Sequence, residues 1–80
     1  MNIKKTVYNS RLRDPWSYIV VCGGRSATFD SSEKAKVGEW IKAIWESQED
    51  GIFNPYLPAF VYYKWDYESN GSLYCKYERA

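Results

Sequence analysis

Two different periods run through this chain, and they divide it into elements. Over residues 16–22 the apolar side chains alternate, with Trp16, Tyr18, Val20 and Cys22 on one parity and Ile19 and Val21 on the other. Residues 25–29 continue the alternation through Ala27 and Phe29. Between them stands Gly23-Gly24, a two-residue turn that accepts the positive φ values of the primed hairpin types. That turn places Val20 opposite Ala27 and Tyr18 opposite Phe29. Trp16, Tyr18, Val20, Cys22, Ala27 and Phe29 then share a face, assigned here to the core. Ile19 and Val21 form a half-apolar second face beside Ser26 and Thr28.

The period changes after Phe29. Asp30-Ser31-Ser32-Glu33 has an N-cap acid with Glu three residues on, the spacing of a capping box. Val37, Trp40, Ile41 and Ile44 follow at helical spacing as one stripe, with Trp45 at its edge. Ala35, Glu39, Lys42 and Glu46 lie opposite, and Lys42 can pair with Glu46 one turn on. Gly51 is a natural left-handed stop, with Ile52 placed to pack back on the last turn. The pattern predicts a helix over residues 31–49. Gly38 inside it costs about 1 kcal/mol relative to Ala, which a close backbone contact would explain.

Residues 52–58 read as a loop fixed by Pro55 and Pro58. A second hairpin follows, over residues 60–68 and 72–78. A two-residue Asn70-Gly71 turn would mix charges into both faces. A three-residue loop, Ser69-Asn70-Gly71 with Gly71 left-handed, instead pairs Tyr67 with Leu73, Trp65 with Cys75 and Tyr63 with Tyr77. That register keeps one face apolar and is the one expected. Residues 3–8 supply a candidate edge strand, and residues 9–15 a polar connection carrying Arg11 and Arg13. The expected architecture is α+β, in the order β-β-β-α-β-β: an antiparallel sheet of four to five strands with one long helix packed on one face. Its core includes Tyr18, Val20, Phe29, Val37, Ile41, Ile44, Val61 and Trp65.

Composition narrows the function more than the fold. The 80 residues make a single domain near the lower limit of unaided folding. Four Trp, eight Tyr and three Phe exceed what one small core needs, so part of the aromatic surface is available for recognition. There is no histidine. Ser-His and Cys-His catalysis are therefore excluded, and Gly23-Gly24 opens a hairpin instead of a phosphate-binding helix. A carboxylate pair such as Asp66 and Glu68 falls on a solvated strand face. Two distant cysteines make a poor zinc set. The chain reads as no enzyme, with no cofactor and no metal.

Net charge is +1, neither the basic excess of a duplex-DNA binder nor the acidity of a DNA mimic. The longest aliphatic-aromatic run, residues 18–22, is too short to span a bilayer, and no signal-peptide pattern precedes it. The expectation is a cytoplasmic protein without a membrane partner. Cys22 and Cys75 are expected to be reduced, buried and structural.

Three surfaces are candidates for binding. The outer face of the second hairpin carries Tyr62, Lys64, Tyr74 and Lys76, with the two lysines directly opposite each other, an anion-contacting patch between aromatic anchors. Arg11 and Arg13 sit on the polar connection. Phe53 and Tyr56 stand on a proline-stiffened loop whose ordering entropy is already reduced.

The strand running into Phe29-Asp30-Ser31-Ser32-Glu33 and the Trp-bearing helix, over residues 25–50, resemble in outline the small bacteriophage anti-CRISPR proteins that inhibit type I complexes. The resemblance implies a stoichiometric inhibitor that binds a host protein or nucleoprotein complex, a CRISPR effector among them, and blocks nucleic-acid access in the host cytoplasm. It assigns no functional residue. The alternative is a small single-stranded nucleic-acid-binding module that stacks bases on Tyr beside Lys of the outer sheet face.

Overall fold

Five antiparallel strands and one helix make up the computed structural model, which describes residues 3–9, 14–47, 58–66 and 69–79. The strands are β1 (Ile3–Val7), β2 (Ser17–Cys22), β3 (Arg25–Asp30), β4 (Ala59–Lys64) and β5 (Ser72–Arg79). A 3₁₀ turn, Ser31–Glu33, leads into the helix α1 (Lys34–Ser47). The sheet order is β1-β5-β4-β2-β3. Both β3 and β4 pair antiparallel with β2, so they run parallel to each other, and α1 is the crossover that joins them.

The first hairpin has the expected register, with Tyr18 opposite Phe29 and Val20 opposite Ala27. Gly23 and Gly24 take φ of 59° and 78°, the left-handed pair that the turn requires. The capping box is present at Asp30 and Glu33, whose carboxylate accepts from the Asp30 backbone N–H at 3.3 Å. Residues 3–8 form the edge strand β1 on β5, except that Tyr8 lies beyond its last residue.

Val37, Ile41, Ile44 and Trp45 are buried against Tyr18, Val20 and Cys22. Each such side chain contributes about 1.5–3 kcal/mol, which outweighs the propensity cost of Gly38. Trp45, expected at the edge of the stripe, is 1% exposed. Its indole N–H donates to the Cys22 thiol, and both cysteines are buried and unbonded to each other. Trp40 is half-buried and meets Phe29 edge-on, 6.2 Å between centroids. Phe29 is thereby also half-buried, at the margin of the core and not inside it. No helix among the described residues is long and apolar enough to cross a membrane.

Several expectations are overturned. Trp16 is 61% exposed and outside the core. The chain bends there: its N–H donates to the Lys64 carbonyl and its carbonyl accepts from Ser31, while alternation begins only at Ser17. Pro15 and Trp65, both buried, fill the end of the core instead, with Trp65 Nε1 donating to the Asp14 carbonyl at 3.1 Å. The Lys42 to Glu46 pair is not formed; Lys36 pairs with Glu33 at 3.2 Å. Residues 48–57, with the expected helix stop at Gly51, lie outside the described residues.

The second hairpin differs most. Val61, not Trp65, faces Cys75, and Ala59 faces Tyr77. Between Val61 and Tyr62 the register shifts so that Tyr62 faces Leu73, leaving Tyr74 as the extra residue of a bulge. The cause lies on the other edge of β4. Val20 opposite Val61 and Tyr18 opposite Tyr63 fix its inner face independently of β5. Residue 67 falls outside the described residues, and Gly71 is not left-handed. Gly71 is needed for another reason: a Cβ there would sit 3.0 Å from Tyr62 Cβ and 3.4 Å from the Tyr63 carbonyl oxygen.

The same substitution at two glycines should therefore act with opposite sign. A Cβ at Gly38 would meet nothing within 4 Å, so the suspected close contact is absent and Gly38→Ala should stabilise by about 0.5–1 kcal/mol. Gly71→Ala should destabilise by about 1–3 kcal/mol through overpacking against the strand it touches. Urea unfolding of both variants measures the signs. Equal shifts of the midpoint would refute the two environments.

Candidate functional site

One helix covers one face of this sheet, and no described element covers the other. Alternation assigns the residues to each side. Val20, Val61 and Cys75 stand in register across the covered face, with Tyr18 beside Tyr63 in the next row. The residues between them point outward. One outer row runs Thr6, Lys76, Phe60, Val21 and Ser26 across all five strands. The next runs Leu73, Tyr62, Ile19 and Thr28, and a third Lys64, Ser17 and Asp30. The outer face thus has an apolar centre, Ile19, Val21, Phe60, Tyr62 and Leu73, bordered by polar and charged side chains. Val21 is 37% exposed, and the other four are half-buried.

Charge among the described residues of this face is balanced. Lys76 reaches Glu78 at 2.7 Å, and its ammonium lies 5.8 Å from the Phe60 ring centroid. The hydrogen bond raises the Lys76 pKa and lowers that of Glu78. Lys4, Lys64 and Lys76 are offset by Asp30, Asp66 and Glu78 around the same rim. The ends of the face carry two further exposed aromatics, Trp16 and Tyr8, the latter close enough to raise the Lys76 pKa.

At the Trp16 end the face hollows into an open cleft of about 300 Å³, lined by Trp16, Ser17, Thr28, Asp30, Lys64, Trp65 and Asp66. Ser17 is 4% exposed, and its Oγ has no hydrogen-bond partner.

The expected patch residues divide between the two faces. Tyr62, Lys64 and Lys76 are on the outer face, but Lys64 stands beside Ser17 and Lys76 beside Phe60, so the two lysines do not oppose each other. Tyr74 is on the covered face. The bulge turns it inward, where its ring meets Tyr18 edge-on at 5.7 Å and Tyr63 at 5.9 Å. Lys5 and Lys34 approach that ring to 5.7 Å and 5.6 Å, and Lys34 donates to its hydroxyl at 3.5 Å. Tyr74 is thus part of an inner aromatic cluster with Tyr18, Tyr63 and Trp65. Arg11, Arg13, Phe53 and Tyr56 lie outside the described residues. The sequence reading missed Phe60, Leu73 and Tyr8, although Ile19 and Val21 had already marked the second face as apolar.

Burial sets the titration of the covered side. It raises the pKa of Tyr18, Tyr77, Cys22 and Cys75, each of which therefore keeps its proton more tightly folded than unfolded. Lys34 is also raised, chiefly by the neighbouring Tyr18. The unfolded chain releases thiol, phenol and ammonium protons first, so all five groups lose their stabilising contribution as pH rises. Unfolding midpoints should fall steadily from about pH 8 to about pH 11, beginning where free thiols ionise. A midpoint that is flat or rising across that window would contradict the burial. At the acid end, partly exposed Glu33 and Glu78, both lowered, favour folding above the ordinary glutamate range and add little.

Comparison of the chain with protein-family models, with curated proteins and with solved structures finds no match.

Proposed function

We propose that this protein is a non-enzymatic binding module that docks its uncovered sheet face onto a protein surface and acts by occupying it. The observation that carries this reading is the apolar centre of that face, Ile19, Val21, Phe60, Tyr62 and Leu73, with Trp16 and Tyr8 exposed at its ends. Interfaces join such an apolar, aromatic centre to a polar rim, and a few aromatic anchors carry most of the energy. The absence of histidine from the sequence supports a role without turnover. Stoichiometric inhibition is the natural consequence of occupancy, and a host nucleoprotein complex such as a CRISPR effector is the finer form of the proposal.

Charge favours a protein partner over single-stranded nucleic acid. A phosphate-tracking groove needs unpaired basic groups along the strand. Here Lys76 is paired with Glu78 and the rim is balanced among the described residues, while Tyr74, needed as a second stacking platform, is on the other face.

The decisive experiment compares capture by wild type with capture by Val21→Glu and Tyr62→Ala. Val21→Glu is at an exposed position and should leave the thermal midpoint nearly unchanged, whereas Tyr62→Ala, at a half-buried position of a central strand, should lower it modestly while the chain stays folded. Loss of a hot-spot side chain costs about 2 kcal/mol or more, so a saturable host partner should bind each variant roughly thirtyfold more weakly. Undiminished capture by both variants would remove the outer face from the interface. Retardation of a single-stranded oligonucleotide that weakens steeply with salt would replace the proposal with nucleic-acid binding.

A further inference from the structure

We propose that the cleft at the Trp16 end of the outer face is a binding site for a single arginine side chain, supplied by the docked protein partner. The inference rests on the docking reading above and specifies the chemistry that this face recognises.

Four features of the cleft converge on a planar cation. Trp16 presents 61% of its surface to solvent, although it is among the residues most costly to leave exposed. Indole is the best aromatic partner for a cation, and guanidinium stacks on it as well as attracting its quadrupole. Asp30 and Asp66 line the same cleft, and neither has a lysine or arginine within 4 Å among the described residues. Asp30 is oriented by the capping box at the start of the helical segment. A carboxylate offers about four acceptor positions, so capping leaves Asp30 able to take a further donor. Finally, Ser17 on the cleft wall is more than nine-tenths buried with its hydroxyl unpartnered. Such groups cost free energy unless something completes them. The hydroxyl is shut off from solvent, so an N–H donor in the cleft supplies that partner through a rotation of the Ser17 side chain.

The choice of arginine follows from shape and number. Its fork carries five donors in one plane, which can serve two carboxylates and a hydroxyl while the face rests on indole. Lysine offers a compact, strongly hydrated charge with no face to stack. The volume of about 300 Å³ accommodates the guanidinium with its aliphatic stem. Among the described lining residues, Lys64 opposes a cation electrostatically and the two carboxylates outnumber it.

The test uses Nα-acetyl-arginine amide as probe, titrated into the full chain while amide and indole N–H resonances are followed by NMR. Saturable shifts are expected at the Trp16 indole and at the amides of Ser17, Thr28 and Asp30, with a millimolar Kd. The neutral isostere Nα-acetyl-citrulline amide should bind at least about fivefold more weakly, because it lacks the charge. Trp16→Ala and Asp66→Asn, both at exposed positions, should each weaken the arginine probe about three- to tenfold, followed through the backbone amides. Asp30 is left intact because its carboxylate also caps the helix. Shifts that stay linear, that are equal for arginine and citrulline, or that survive both substitutions overturn the assignment. Failure of the probe, with capture still lost in Val21→Glu, overturns the arginine site and leaves docking standing. Saturable probe binding without any captured partner does the reverse.

Discussion

The central constraint of this fold is the pairing of β2 with β4. Val20 faces Val61 there, and Tyr18 faces Tyr63, at the middle of a five-stranded sheet. Because side chains alternate with a period of two, this one register decides which residues of both strands face the helix. It sends Ala59, Val61 and Tyr63 inward and Phe60, Tyr62 and Lys64 outward. A slip by one residue would place Lys64 in the core and Val61 in water. The helix stripe, Val37, Ile41, Ile44 and Trp45, can bury itself only against the face so chosen.

That constraint propagates to β5 through the bulge. Were the alternation of β5 unbroken, Tyr74 would share the outer face with Lys76. The extra residue lets Tyr74 and Cys75 both turn inward, while Leu73 stays outside opposite Tyr62. One inserted residue therefore does two things: it completes an inner cluster in which Tyr74 meets Tyr18 and Tyr63 edge-on, and it adds Leu73 to the outer apolar centre. Edge-to-face pairs contribute about 0.5–1.5 kcal/mol beyond the area they bury. The bulge is thus stabilised by contacts a regular ladder would not make.

How far the sequence revealed this depends on how local each determinant is. The register of the first hairpin was legible, because a two-residue glycine turn leaves only one register, and Gly23 and Gly24 take the φ values it demands. The capping box and the helix stripe are equally local and were legible too, apart from the burial of Trp40 and Trp45, which is the reverse of that expected. Trp16 was misplaced because alternation says nothing about where a strand begins. Tyr74 was misplaced because its position follows from pairing between β4 and β2, forty residues apart in sequence. A trace of the bulge was present: Leu73, Tyr74 and Cys75 are three consecutive apolar residues, one more than a strict alternation can place. The open face was half legible through Ile19 and Val21, and its cleft not at all, since Trp16, Thr28 and Asp66 meet only in the folded sheet.

An antiparallel sheet with one wet face ordinarily alternates apolar inward with polar outward. β3 obeys that rule, with Ser26, Thr28 and Asp30 outside. The three strands at the centre break it, placing Ile19, Val21, Phe60, Tyr62 and Leu73 outside. The edges of the sheet keep the polar pattern, through Lys4 and Thr6 on β1 and the serine and threonine of β3. Scattered surface apolar residues need no explanation, but a contiguous group rimmed by charge is the mark of an interaction surface. Strand propensity does not account for it, because threonine serves a pleated, solvated position as well as isoleucine does. The departure is confined to the centre of the face, and the edges keep the charges that discourage sheet-to-sheet aggregation. A core requirement would have fallen on the covered side. Placed on the side that no described element covers, the apolar centre is not accounted for by the core.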